Sequence, residues 1–344
     1  MSISYKDSGV DIKAGEEAVK KIKENVISTH SPAVLSDLGG FGGAYDIKKI
    51  IEGYENPVIV QSTDSVGTKV MVAAMLNKYD TIGRDLVGNV VGDILVMGAR
   101  PITFLDYLAY NKIDPDRIER IVSGISYECK QSNMSLIGGE MAELPGVYRE
   151  NETDIVGFVT GVVERDKIVT GKNIKSGDVV MGFASSGLHT NGFSLARKLF
   201  FEIAGHDVNT KLPELEKSVG ETLLEPHTNY TNPILDILDS GIEVKGMAHI
   251  TGGGLLENIP RILPEGCGVE IKKDSYPMLP VFEVMQKIGD VEESEMYRTF
   301  NMGIGMVLIL DSEEAKKIKD YDDFKLYKIG KVVEGDRSVI LNER

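Results

Sequence analysis

The chain has 344 residues, is 42% hydrophobic, and carries 38 Lys and Arg against 53 Asp and Glu, for a net charge of −15. That length suits two domains with sizeable cores, and the acidic balance argues against nonspecific nucleic-acid binding, which needs a basic surface. Two cysteines far apart and no Cys/His cluster argue against zinc, and no apolar run approaches the roughly 20 residues of a membrane span, so a cytoplasmic protein with no nucleic-acid or membrane partner is expected.

Residues 13–29 place Val19, Ile22, Val26 and Ile27 at helical spacing, with Pro32 beyond the end. A glycine cluster follows at 39–43, and then residues 57–62 read as a buried strand ending at Thr63-Asp64. Residues 68–79 read as a helix, and 81–98 as a stronger one with Thr81 as N-cap. In that second helix Ile82, Leu86, Val90 and Ile94 repeat every four residues, and so do Asp85, Asn89 and Asp93. The two series predict an apolar face flanked by a polar row.

Strands are expected at 103–110 and 134–138, around a helix at 117–131, with another strand at 153–163. This alternation predicts an α/β or α+β domain. The charged, glycine-punctuated stretch 164–178 predicts a boundary, giving domains 1–167 and 168–344. The second half reads as strand 179–185, a polar loop, a helix near 192–204, a strand near 244–249, helix 255–262, and strands at 305–310 and 338–341.

Several segments have the residues for phosphate and metal chemistry. In TDSVGTK (63–69) a carboxylate, Asp64, ends a strand, and Gly67 and Lys69 precede a helix. The carboxylate suits a metal and the Lys suits phosphate oxygens, although an ordinary strand-to-helix turn accounts for the pattern equally well. Asp93 in DILVMGARP and Glu140 in IGGE also sit at element ends beside glycine, and hard cations such as Mg²⁺ favour such oxygen ligands. The cluster Gly39, Gly40, Gly42 and Gly43 reads as a phosphate flap or as a merely flexible loop. HITGGG (249–254) runs from a strand into a helix, which places the amides of Gly252, Gly253 and Gly254 where an anion can bind. The loop SGLHTNG holds Ser186, His189 and Asn191 after an apolar strand, and His189 there can donate to developing negative charge or move a proton. Arg298 in MYRTFNMGIG suits either a phosphate or an ion pair.

These segments resemble the phosphoribosylformylglycinamidine cyclo-ligase family over essentially the whole chain. The resemblance begins at SYKDSGVDIKAG (4–15) and runs through GGFGG, TDSVGTK, TIGRDLVGNVVGD, GARP, FLDY, GGEMAELPG, SSGLHTNG, HITGGGLLENIPR and EMYRTFNMGIG. Two positions depart from it: Gly92 stands where Asn usually precedes the Asp, and PHTNY (226–230) puts Thr228 where a basic residue is usual. The resemblance implies an N-terminal ATP-binding and dimerisation domain that closes a β-barrel with its mate in a homodimer. It also implies a C-terminal α/β domain and a ligand cleft between the two. The implied reaction is the ATP-dependent closure of formylglycinamidine ribonucleotide to aminoimidazole ribonucleotide in purine biosynthesis, with release of ADP and phosphate. Under it, Asp64, Asp93 and Glu140 are expected to hold Mg²⁺, and the 39–43 glycines, Asp64, Lys69 and Asp93 to bind ATP. Lys69, His189 and Asn191 are expected to be catalytic, and Ser186, His189, Gly252, Gly253, Gly254 and Arg298 to contact substrate. The competing readings are another ATP-dependent kinase or synthetase of the same superfamily, such as thiamine monophosphate kinase, and a catalytically silent nucleotide-binding relative.

Overall fold

The structure is a computed structural model that describes residues 8–321 and 323–343. The first part of the resemblance, SYKD at 4–7, lies outside the described residues. Two compact units are present: one runs to Ile94 and takes in Arg100–Arg165, and the other comprises Leu95–Ala99 and the chain from Asp166 onward. No helix among the described residues is long and apolar enough to cross a membrane.

The first unit contains β1 (Pro57–Ser65), β2 (Arg100–Tyr110), β3 (Ser135–Glu143) and β4 (Thr153–Glu164), in the order β1-β4-β2-β3. β4 is antiparallel to both neighbours, whereas β2 and β3 are parallel. That parallel pair needs a crossover, and helix Pro115–Gln131 supplies it. Strand periodicity separates the two faces of the sheet. Val60, Phe104, Ile155 and Val159 are buried on the face covered by helices. Ile59, Leu105 and Phe158 lie on the other face and are 54%, 38% and 44% exposed. Among the described residues this sheet stays open, with β1 and β3 as its edges, so no single chain closes the barrel.

Helices Ile82–Leu95 and Pro115–Gln131 cross where Gly83 and Gly124 meet: a Cβ on Gly83 would fall 2.0 Å from the Ile121 carbonyl oxygen. Glycine is thus required there for close backbone approach. Thr81 does not cap the first of these helices as expected. Its hydroxyl is buried without a hydrogen-bond partner, and only its carbonyl serves the helix, accepting from the Asp85 amide at 3.0 Å.

The second unit contains β5 (Val179–Ala184), β6 (Val244–His249), β7 (Cys267–Lys272), β8 (Ile304–Leu310), β9 (Leu326–Glu334) and β10 (Val339–Asn342). Their order is β10-β7-β9-β5-β8-β6, with only the β10–β7 pair parallel. Both units therefore mix helices with mainly antiparallel sheet, the α+β form of the expected fold class. β7 and β9 were not foreseen. Their charged residues hide the apolar period, yet Glu270 and Lys331 are register partners across the two strands and pair at 3.2 Å. The helix expected near 192–204 is α-helical only over Phe193–Arg197 and widens to π-helix over Lys198–Ile203. The one expected at 255–262 is α-helical over Gly254–Asn258 and tightens to a 3₁₀ turn over Ile259–Ile262, where Pro260 lacks an amide donor.

Candidate active site

In the first unit the polar row of helix Ile82–Leu95 lies along β1 and the turn after it. Lys69 Nζ donates to Asp85 Oδ1 at 2.7 Å, Asn89 Nδ2 donates to the Ser65 carbonyl at 3.2 Å, and Ser62 Oγ donates to Asp93 Oδ2 at 3.0 Å. The row thus meets the Ser62 side chain and the Ser65 carbonyl on β1, and Lys69 at the first position of the following helix, Lys69–Leu76.

The row changes the reading of Lys69. Its side chain and that of Asp85 are both fully enclosed, so the ammonium is held inside the unit and does not project towards solvent as a phosphate contact requires. Asp93 is half-buried, and Asp64 is exposed and accepts from the Ser65 amide at 2.7 Å. Asp64 is two residues from Ser62 on the same face of β1, so Asp64 and Asp93 border one side of the strand.

Glu140 is elsewhere. It pairs with Tyr107, Tyr107 with Val156, and Val156 with Ser65, which places it three strands from β1, roughly 14 Å away at about 4.8 Å per strand. The neighbouring row is Asp64–Gly157–Asp106–Gly139, so Glu140 also belongs to the opposite face from Asp64. The expected trio of Asp64, Asp93 and Glu140 is therefore not assembled in one chain. Among the described residues no group of three His, Cys, Asp or Glu side chains is placed to hold a metal ion.

The glycine cluster sides with Glu140. Gly39, Gly40, Gly42 and Gly43 line a cavity of about 500 Å³ together with Asp106 and Glu140, a volume in the range of small-molecule sites. Gly43 approaches β3 so closely that a Cβ would fall 2.7 Å from the Ile137 carbonyl oxygen. Asp106 went unassigned in the sequence, although FLDY contains it. Burial pushes its carboxyl up to about 7, against its own backbone amide's opposing pull. It lies over Gly139, where a Cβ would fall 2.2 Å from Oδ1.

The second unit gathers its expected residues more completely. His189 is buried in the left-handed region at φ 62°, a conformation costly for a residue with a Cβ. Asn301 anchors the turn before it: Ser185 Oγ donates to Asn301 Oδ1 at 2.9 Å, and Asn301 Nδ2 donates to the Gly187 carbonyl at 2.8 Å. Ser186 is exposed, donates its hydroxyl to the Pro226 carbonyl, and points its amide at His189 Nε2 at 3.4 Å. Asn191 sits beside the glycine turn, its Oδ1 3.2 Å from where a Gly252 Cβ would be.

That turn is braced by Asn258, which accepts from the Thr251 amide at 2.8 Å and donates to the Gly252 carbonyl at 3.1 Å. Gly253 and Gly254 have φ of 103° and 56°, and a Cβ on Gly254 would fall 2.1 Å from the Tyr297 carbonyl oxygen. Arg298, one residue on, pairs through Nε with Glu257 at 3.0 Å. Both side chains are more than half exposed, so the pair is weak and can open to a stronger anion. Ser186, His189, Asn191, the Gly252 and Gly253 amides and Arg298 thus form one polar region with the donors to hold an anionic ligand, while the Gly254 amide is held by the Thr251 carbonyl at 3.0 Å. Two further histidines belong to it: His227 stacks on His189 with centroids 3.9 Å apart, and His249 meets His227 edge-on at 5.3 Å. The visible signals were the aromatic in PHTNY and the His that opens HITGGG.

Comparison with known proteins agrees with this division. Residues 45–163 match the model for AIR synthase related protein, N-terminal domain, and residues 175–342 match that for its C-terminal domain. Phosphoribosylformylglycinamidine cyclo-ligase of Brevibacillus brevis is 48% identical over 348 residues, covering 99% of each chain. The enzyme of that name from Bifidobacterium animalis subsp. lactis is 46% identical, covering 97% of each, and that from Bacillus thuringiensis is 51% identical, covering 92% of this chain and 91% of its own. Among solved structures, thiamine-monophosphate kinase from Stenotrophomonas maltophilia shares the fold at TM-score 0.65 and 17% identity, covering 95% of this chain and 96% of its own. Hydrogenase maturation protein HypE in complex with ATP does so at TM-score 0.62 and 15% identity, covering 98% of this chain and 92% of its own. With such identity sustained over nearly its whole length, the chain belongs to the phosphoribosylformylglycinamidine cyclo-ligase family.

Proposed function

We propose that the chain closes the imidazole ring of formylglycinamidine ribonucleotide, using ATP and releasing ADP, phosphate and aminoimidazole ribonucleotide in de novo purine biosynthesis in the cytoplasm. The observation that carries this reading is near-half identity to curated cyclo-ligases over the whole chain, with the C-terminal family match spanning the polar region of the second unit. An amide oxygen is a poor leaving group. Transfer of the γ-phosphoryl group to the formamide oxygen makes it a good one, the neighbouring amine nitrogen then attacks the formyl carbon, and the C–O bond breaks with departure of phosphate. Holding the two groups together supplies the entropic part of the acceleration.

His189 and Asn191 face the formamide oxygen in this reading, with Gly252, Gly253, Ser186 and Arg298 on the substrate phosphate. ATP and the dimer contact belong to residues 1–167, and the substrate groups to 168–344. Asp64 and Asp93 fit Mg²⁺, because both are carboxylates, the hard oxygen ligands that cation favours, on one side of β1. Mg²⁺ bound there would spread the negative charge of the transferring phosphoryl group. Lys69 serves through Asp85, fixing the start of the helix that carries Asp93.

The homodimer is part of the proposal and explains Glu140. The apolar face bearing Ile59, Leu105 and Phe158 gives a second copy a surface to close over, and edge-to-edge pairing of β1 with the second copy's β3 would bring that copy's Glu140 to the strand that carries Asp64. The barrel and the ligand cleft implied by the resemblance stand on the same footing. Incubating the pure protein with formylglycinamidine ribonucleotide, ATP and Mg²⁺ should yield ADP and aminoimidazole ribonucleotide in equal amounts. Absence of both rejects the reading, and ADP formed only with thiamine monophosphate favours the kinase.

A further inference from the structure

Three imidazoles, His189, His227 and His249, are buried together at 1%, 1% and 7% exposure. Their hydrogen bonds fix where each proton sits. His227 Nδ1 is 2.9 Å from the Thr228 carbonyl oxygen, which only accepts, so His227 carries its proton on Nδ1. Its Nε2 then holds a lone pair, and His249 Nε2, at 3.3 Å, donates to it. His189 Nε2 is met by two backbone amides, those of Ser186 at 3.4 Å and Thr228 at 3.5 Å, so that nitrogen accepts and the proton lies on Nδ1. One residue thus sets both stacked rings: the carbonyl of Thr228 orients His227, and its amide faces His189.

We propose that His227 is a positioning residue which, with the main chain of Thr228 and Ser186, holds His189 as a neutral imidazole protonated on Nδ1. The ring then serves the ring closure as an N–H donor towards the formamide oxygen, not as an imidazolium. An imidazolium would direct a second N–H from Nε2 into the two amides, and it would stack on another imidazole 3.9 Å away. Among the ionisable groups near the ring are His227 on the stacked side, His249 beyond it at the end of β6, and Tyr230 at 6.1 Å. Tyr230 is a phenol pushed up by burial and donates to the Ala184 carbonyl at 2.8 Å. The role assigned to the donor rests on the ring-closure reading, but the tautomer does not.

The test is the ring-nitrogen NMR spectrum of the full chain labelled with ¹⁵N-histidine, with His189 assigned by His189→Asn. The expected spectrum shows a neutral His189 protonated on Nδ1 from about pH 6 to about pH 8. In His227→Thr the two tautomers should interconvert and kcat should fall at least about tenfold, with KM for ATP unchanged. His227→Phe, which restores a flat ring, should recover the single tautomer and most of kcat. A wild-type His189 that is protonated on Nε2, or is an imidazolium at neutral pH, overturns the proposal without any variant. So does a His227→Thr protein with unchanged tautomer and kcat. If the protein makes no aminoimidazole product yet shows the Nδ1–H ring, the ring-closure reading fails and the tautomer assignment stands.

Discussion

Lys69 and Asp85 form an ion pair at 2.7 Å in which neither side chain has any exposed surface. Removing one member leaves an uncompensated buried charge, which typically costs about 3–5 kcal/mol. Asp85→Ala should therefore lose about that much stability in urea unfolding. The double variant Lys69→Met, Asp85→Leu, which removes both charges, should lose much less. Equal losses in the two proteins would show that the pair is not the source of the effect.

Asp93 and Glu140 are assigned to one metal–nucleotide site contributed by two chains. Either Asp93→Ala or Glu140→Ala alone should lower ATP-dependent turnover by about a hundredfold. In an equal mixture of the two variants, half the dimers are mixed and each mixed dimer has one intact site, so about a quarter of wild-type activity should return. A mixture no more active than its components would place both residues in the same chain's site.

Asp106 gives a pH signature. Its carboxyl, ordinarily at 3.8, is pushed up to about 7 by burial. Between those values the folded chain keeps a proton that the unfolded chain has released, so this group's contribution to stability falls as pH rises through that window. The penalty is complete above the folded value, on the order of 4 kcal/mol at 1.36 kcal/mol per unit. Asp106→Asn should therefore gain thermal stability over the parent progressively from about pH 4 to about pH 8. A constant difference across that range would remove Asp106 as the cause.

Gly305 leaves no room for a side chain. A Cβ there would fall 2.1 Å from Tyr230 Oη and 2.5 Å from His189 Cε1. Gly305→Ala should cost about 1–3 kcal/mol through overpacking, and, by displacing His189, should depress kcat more than KM. Calorimetry and steady-state kinetics on the same sample check both halves.

Local periodicity carried most of what the sequence revealed. The four-residue repeat of Asp85, Asn89 and Asp93 was legible because a helix aligns such residues whatever surrounds it. What the row faces was not legible, because Ser62, Ser65 and Lys69 are brought there by tertiary packing. Glu140 was grouped with Asp64 for the same reason: each lies beside glycine or at an expected element end, but strand order and face are non-local facts. The histidine cluster joins two loops and the end of β6, which no local pattern connects. In the second unit the structure sets Asn191 beside the 252–254 turn, a closeness that the glycine run alone hinted at through its lack of side chains.

The three contacts of helix Ile82–Leu95, two to β1 and one to Lys69 just beyond it, have the character of teeth in a rack. Adding or deleting one residue inside the helix turns everything beyond that point by about 100°, and the hydrogen bonds of Asp85, Asn89 and Asp93 cannot then all be kept. The interval of eight residues from Asp85 to Asp93 is accordingly fixed in number as well as in kind. Single substitutions there are absorbed one contact at a time, whereas a change of length within the helix breaks the alignment of the whole row.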